Sequence, residues 1–500
     1  MRVQILHTLV LMLFAAFLFS AFFSGVLLSS SHLAYDLNRL FLVALLVVGV
    51  LVFAFISKGI IYEGLIRQVS GYSIIVVSAT ASNSINFVDD YRVLDTLYIL
   101  SFFLFVLVAG IFVPSSKTIS LFRFVFWIFL IFFSILILLI FSFWVFEYGQ
   151  NGLRSLVTSL GFLNINFLGH LISVSLPLVV FFVLSSYSGG FIFRAIFLFF
   201  VLIFSWFLLF ELSIKGSVLG LFGSCFILFL LFRSRVRWYL NLFFASFLSA
   251  VALYMLHKFF DVSPELVSAN NLIARDPTGR SMQWYEAAMM SLQFFPLGMG
   301  AEAWMTHTPI TTNFVYELAH GHPHNMILLW ASEYGWLSVF GVFMLFWGIS
   351  SKIKNIYLRS GMDDLEVQRD YGIAIGLLGA SFSSLLHACV SGVLVVPAST
   401  MVVVIVLVYT QCILNFHLKL GEPSVSVHDF FWARRMKSIV LVWVVGLGVA
   451  QLSYLGDYHS RMIEDKARYV SDGRVMFFPR YWAHGFAPDL FGSYQSQVQR

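Results

Sequence analysis

Apolar runs of about 20 residues alternate with short polar breaks from one end of the chain to the other. A run of that length crosses the ~30 Å hydrocarbon core of a bilayer as a helix. The pattern predicts thirteen such segments, at 5–28, 40–57, 70–88, 96–113, 120–146, 163–185, 192–211, 214–232, 239–257, 325–349, 371–392, 397–416 and 438–455. The third is the most polar, because it contains SATASNSIN. Two stretches leave the pattern, residues 258 to about 324 and residues 456–500. No internal repeat is visible. The expected architecture is an all-α polytopic membrane protein with about 12–13 transmembrane helices. The membrane domain covers 1–455 and includes the long extramembrane loop 258–324; the tail is 456–500.

Composition agrees with this reading. The chain has 500 residues, 60% hydrophobic and 11% charged, with a mean hydropathy of +0.89. A soluble globular protein carries about 25% charged residues. The pI near 9.0 does not point to nucleic acid, because Lys and Arg sit in short loops between spans, as membrane topology requires. Cys225, Cys389 and Cys412 all fall within apolar runs and read as small buried hydrophobes. The apolar stretch from Ile5 to Leu28 is too long for a cleaved signal peptide and reads as the first span.

Charge sets the orientation. With the N-terminus inside, most basic residues, among them Arg67, Arg123, Arg194, Arg235, Lys352 and Arg435, fall on the inner side. The short outer loops keep Arg39, Arg92, Arg154 and Lys215. This bias places the long loop and the tail outside.

The long loop ends in HGHPHN, residues 320–325. His320, His322 and His324 alternate, so in an extended segment they face one side, and Glu317 is close in sequence. A zinc site needs three or four such ligands, but Pro323 interrupts the geometry and no HExxH or Cys pair accompanies them. His324 has a different prospect. It precedes Asn325 at a helix start, where Asn caps free backbone N–H groups. The dipole there favours a neutral imidazole, a competent general base near pH 7. Upstream, Arg280, Trp284 and Ala287 share a helical face. A turn at Pro296, Gly298 and Gly300 follows, where glycines allow close backbone approach to a ligand. Lys215 lies between the seventh and eighth spans on the same outer side. Cations beside a base suit an anionic, lipid-linked substrate, because phosphate takes Arg as a fork and Lys as a point charge.

These stretches resemble the O-antigen ligase and polymerase superfamily of bacterial membrane glycosyltransferases. HPHNMILLWASEYG supplies His324, Asn325, Leu328, Glu333 and Gly335 in the family's spacing, with Ser338 where a second glycine is usual. GRSMQWYEAAMMSLQFFPLGMG resembles the family's outer loop through Arg280, Trp284, Pro296, Gly298 and Gly300. GFLNINFLG resembles its Gly-x-x-Asn-x-Asn span opening, and SIKGSVLGL its Ser-Arg-Gly segment, with Lys215 in place of Arg. The resemblance covers roughly residues 160–400.

The resemblance implies a GT-C-like helical enzyme of the inner membrane, without cofactor or metal, whose site faces the periplasm. The implied reaction is inverting transfer of a glycan from undecaprenyl pyrophosphate to an acceptor hydroxyl. His324 would take the acceptor proton. Arg280, Lys215 and Arg275 would hold the pyrophosphate, with Asn325, Glu333, Trp284, Gly298, Gly300 and His322 in support. The acceptor is a lipid A core sugar (a ligase), a growing glycan (a polymerase) or a protein hydroxyl (an O-oligosaccharyltransferase). LLHACVSGVLVVP has His387 but lacks the Glu four residues later that protein-modifying members often carry, which argues against a protein acceptor; the ligase is expected first and the polymerase next. A transporter of polyprenyl-linked glycans is the alternative of a different class. Such a protein places charges near mid-membrane, whereas these spans carry little charge there.

Overall fold

The computed structural model describes residues 2–27, 31–56, 59–60, 65–85, 90–113, 116–147, 157, 162, 164–260, 280–312, 314, 321–359, 365–419, 435, 438–456 and 463. The described residues are overwhelmingly helical. In chain order the helices are α1 (Arg2–Leu27), α2 (Ser31–Ile56), α3 (Leu65–Ile85), α4 (Asp90–Ile111), α5 (Ser116–Glu147), α6 (Ile165–Ser188), α7 (Ile192–Glu211), α8 (Lys215–Phe232), α9 (Arg237–Phe260), α10 (Arg280–Gln293), α11 (Ala303–Thr306), α12 (Met326–Arg359), α13 (Leu365–Ala388), α14 (Pro397–Lys419) and α15 (Ser438–Gly456). A two-residue antiparallel pair joins Gly59–Ile60 to Phe112–Val113.

Each of the thirteen expected segments coincides with a helix, although α2 starts at Ser31 rather than 40 and α12 runs to Arg359 rather than 349. Arg39, expected in a short loop, therefore lies inside α2. There it is buried, pairs with Asp36 at 2.9 Å and sits over the Tyr35 ring. Among the described residues, ten segments are long and apolar enough to cross a membrane, which marks a multi-pass membrane protein by length and composition. One of the ten, Lys215–Phe260, contains both α8 and α9; a 3-10 turn at Arg233–Val236, with Arg233 at φ 51°, separates them. The tail 456–500 lies outside the described residues except for 456 and 463.

Long-range contacts sort the helix ends into two sets. The starts of α6, α8 and α12 and the end of α13 meet at the end of the bundle where α10 lies; we call it the loop end. At the opposite end, buried Lys352 of α12 donates to Gly110 O and to Asn415 Oδ1. The Asn415 amide in turn bonds the carbonyls of Ala109, Gly110 and Phe112. A cation at the end of α4 satisfies carbonyls that have no intrahelical donor.

α3 falls outside the ten apolar segments, and its packing explains why. It crosses α12 where Gly71 meets Gly341: a Cβ on Gly71 would lie 2.6 Å from Gly341 O, and one on Gly341 2.6 Å from Gly71 O. Small residues let membrane helices approach this closely. The polar side chains of α3 then reach its neighbours. Ser78 Oγ donates to Tyr334 O at 2.6 Å, Ser82 Oγ accepts from Gly298 N at 3.1 Å, and Asn83 Oδ1 accepts from Ala301 N at 2.8 Å. SATASNSIN is polar because it docks a loop.

Gly341→Ala should cost about 1–3 kcal/mol, the usual range for overpacking. Gly446→Ala should cost nothing, because a Cβ there meets no atom within 4 Å. Thermal unfolding of the two variants in detergent makes the comparison; equal melting temperatures would remove the α3–α12 contact from the account.

Candidate functional site

The site is built around a break in α12. Gly335 has φ 86° and ψ 164°, which is not helical. The break frees the carbonyls of Ser332, Glu333 and Tyr334 from their normal partners four residues on. Met299 N takes Ser332 O at 2.8 Å, Gly300 N takes Glu333 O at 2.8 Å, and Ser78 Oγ takes Tyr334 O. In return Leu337 N, which lost its own carbonyl, donates to Pro296 O at 3.2 Å. The loop thus replaces the missing helix bonds, as backbone at membrane depth requires.

Gly298 and Gly335 are necessary for this fit. A Cβ on Gly298 would lie 2.3 Å from Glu333 C and O, and one on Gly335 2.4 Å from Pro296 O. The close approach that glycines allow at Gly298 is therefore to the α12 backbone. Glu333 is fully buried, and its Oε1 accepts from Trp304 N at 3.1 Å, so it ties α11 to α12.

α10 packs on α12 beside the break. Trp336 Nε1 donates to Ser291 Oγ at 3.1 Å. The buried positions Gln283, Glu286, Ala287, Met290 and Ser291 fall at helical spacing, and the helix starts at Arg280. Glu286 anchors the following loop. Its carboxylate accepts from Ile310 N, Thr311 N and Thr311 Oγ1, and lies 2.9 Å from His307 Nε2. His307 Nδ1 faces the carbonyls of Ala303 and Trp304. Burial alone pushes the Glu286 carboxyl up, but these donors outweigh it and hold it below the ordinary carboxylate range.

His324 sits at the mouth of α12 with φ 56°, a left-handed conformation. Asn325 Oδ1 accepts from Leu328 N at 3.1 Å and caps the helix, as its position in the sequence predicts. His324 Nδ1 lies 3.1 Å from Gln283 Oε1 of α10. An amide oxygen there takes the Nδ1–H, which leaves Nε2 as the basic nitrogen. His322 Nδ1 accepts the His324 backbone N–H at 3.0 Å, so that nitrogen is engaged. His322 also packs against the α13–α14 connection, where a Cβ on Gly392 would lie 2.3 Å from its Nε2.

Beneath His324 lies a buried polar cluster that the motif reading did not place in the site. His170 Nε2 is 2.8 Å from Ser391 Oγ, and His387 Nδ1 is 2.9 Å from Ser173 Oγ. The two rings stand edge to face with centroids 4.9 Å apart. His324 is within electrostatic range of His170, and Arg280 within range of His387. His170 Nδ1 and Trp284 Nε1 are shielded from solvent and make no hydrogen bond among the described residues. α8 closes the cluster: Ser217 Oγ donates to Gly169 O at 2.9 Å, and a Cβ on Gly216 would lie 3.0 Å from His387 Nε2.

The structure therefore brings His324, Arg280 and the first turn of α8 to one end of the bundle. The side chain of Lys215 is exposed at that first turn. Asn164 caps α6, accepting from Asn166 N at 2.9 Å. Arg275, His320 and Glu317 lie outside the described residues. Among the described residues no group of three His, Cys, Asp or Glu side chains could hold a metal ion. His170 and His387 carried one sequence signal, an imidazole near each of two span ends; only the fold makes them neighbours. No protein-family model matches this chain, and no curated protein is similar enough to match it.

Glu286 gives the loop a dependence on acid. Its native pKa lies below the ordinary value of 4.5, so its contribution is complete above that value and is lost as pH falls through the lower native one. Limited proteolysis across residues 294–312 should accelerate below about pH 4 in the wild type, in the range where carboxylates protonate. Glu286→Gln should already be susceptible at pH 7. A variant as resistant as the wild type at pH 7 would show that the carboxylate does not hold the loop.

Proposed function

We propose that this protein is a membrane glycosyltransferase of the O-antigen ligase and polymerase kind. It takes a glycan from undecaprenyl pyrophosphate on the periplasmic face of a bacterial inner membrane. The acceptor is a hydroxyl, first among candidates a sugar of the lipid A core. One observation carries the reading: His324, oriented by Gln283 at the Asn325-capped start of α12, shares one end of the bundle with Arg280 and the α8 start.

In this reading Nε2 of His324 takes the acceptor proton as the hydroxyl oxygen attacks the anomeric carbon. The bond to the pyrophosphate oxygen breaks with inversion, and Arg280 stabilises the charge that collects there. Pyrophosphate leaves readily, so no general acid is needed. Lys215, exposed at the same end, and Arg275 would add charge for the second phosphate. Trp284, with its unpartnered Nε1, is a donor beside Arg280 on α10. Supporting roles fall to His322, Gly298, Gly300 and Glu333, which hold the loop and helix start in register.

A polymerase or a protein O-oligosaccharyltransferase would use the same groups with a different acceptor. Membranes from cells expressing His324→Ala should show transfer reduced by about 10²–10⁴, the usual weight of a general base, with donor binding kept. Arg280→Lys should weaken donor binding, because the fork is lost. Transfer intact in His324→Ala would end the base role. Which product accumulates in a deletion strain identifies the acceptor: full-length glycan on the carrier for a ligase, core with one repeat for a polymerase, unmodified protein for the third. Loss of all three products, with carrier-linked glycan trapped on the inner side, would instead mark the transporter.

A further inference from the structure

A cavity lies at the end opposite the loop end, between α5, α6, α13 and α14. Its volume is about 230 Å³, and its lining includes Arg123, Trp127, Leu178, Phe182, Leu377 and Tyr409. The walls are apolar or aromatic, apart from a few polar groups at the α5 and α6 edges. Arg123 is in the second turn of α5, and Ser185, also in the lining, is in the last turn of α6. A further arginine stands beside it. The Arg194 guanidinium lies 4.8 Å from the Trp127 ring centroid and 4.4 Å from that of exposed Phe191, and its Nε donates to Ser186 Oγ at 2.8 Å. Two arginines thus flank one aromatic wall of an apolar slot at a membrane-facing edge of the bundle.

We propose that this cavity binds an anionic membrane phospholipid, with a segment of one acyl chain in the slot and its phosphate at Arg123 and Arg194. The chemistry matches at both ends of the ligand. Hydrocarbon in the slot leaves no water against Leu178, Phe182 and Leu377. Arginine recognises phosphate through its planar fork. Drug-sized ligands fill cavities of about 300–1,000 Å³, so 230 Å³ admits part of one chain and not a whole lipid. Basic pockets between transmembrane helices on the cytoplasmic side bind anionic headgroups, and the charge bias of the loops assigns this end to that side. The site is independent of the glycan-transfer reading, since no residue is shared.

Native mass spectrometry of the full-length protein in detergent tests the site, with phosphatidylglycerol, phosphatidylethanolamine and undecaprenyl phosphate titrated separately. The wild type should retain one phosphatidylglycerol in preference to phosphatidylethanolamine. Arg123→Gln should weaken retention about tenfold, the worth of one charge-assisted contact, and Leu377→Phe, which fills the slot, should do the same. Arg235→Gln, at an exposed arginine of the same end, should leave retention unchanged. If Arg123→Gln does not unfold with a wild-type transition, Leu377→Phe alone decides. Equal retention by the wild type and the decisive variants overturns the site, as does equal retention of the zwitterionic lipid. Retention of undecaprenyl phosphate alone overturns the phospholipid as occupant.

Discussion

A helix that breaks inside a membrane exposes backbone groups that no water can satisfy. In this protein the break is at Gly335, and the three carbonyls it frees find donors on α3 and on the 296–300 loop. Much of the loop-end architecture follows from that exchange. The loop must lie flat against α12, so the residues at the closest contact, Gly298 and Gly335, must lack a Cβ. α3 must be polar on one side, so it fails as an ordinary apolar span. α10, which leads into the loop, must pack on α12, and this brings Arg280 and Gln283 to the helix mouth where His324 stands.

The same constraint shapes the polar groups. At the loop end, Glu333 ties a short helix to the broken one, and Glu286 closes the loop through His307 and Thr311. At the opposite end, Lys352 and Asn415 cap the end of α4. In each case a buried ionisable or amide side chain takes up backbone groups that helices alone leave over. The His170–His387 cluster differs. It uses serines for one nitrogen on each ring and leaves His170 Nδ1 without a partner among the described residues.

Much of this was legible in the sequence. Apolar length located the ten described segments that can cross a membrane, because bilayer thickness fixes it. The Asn325 cap could be read from its place before an apolar run, whereas of the face read for α10 only Ala287 is among the buried positions, which run through Gln283, Glu286, Met290 and Ser291. Those are local signals. The dock provided by Ser78, Ser82 and Asn83 was not legible, because its partners are more than 200 residues away and polarity in a span looks like weakness. Gly298 read as space for a ligand, whereas its neighbour is the α12 backbone; a glycine shows that something is close and not what. His170 and His387 are 217 positions apart, and no periodicity joins them. The chemistry itself rests on motif resemblance and convergence at one end of the bundle, and stays a proposal.

The central claim is that the loop supplies the hydrogen bonds that the broken helix lacks. Amide hydrogen exchange of the peptide spanning 296–303, measured in nanodiscs, addresses it directly. The account predicts slow exchange at Met299 and Gly300 in the wild type, and rapid exchange there in Gly335→Ala, whose added Cβ cannot coexist with the docked loop. Rapid exchange at both amides in the wild type would contradict it.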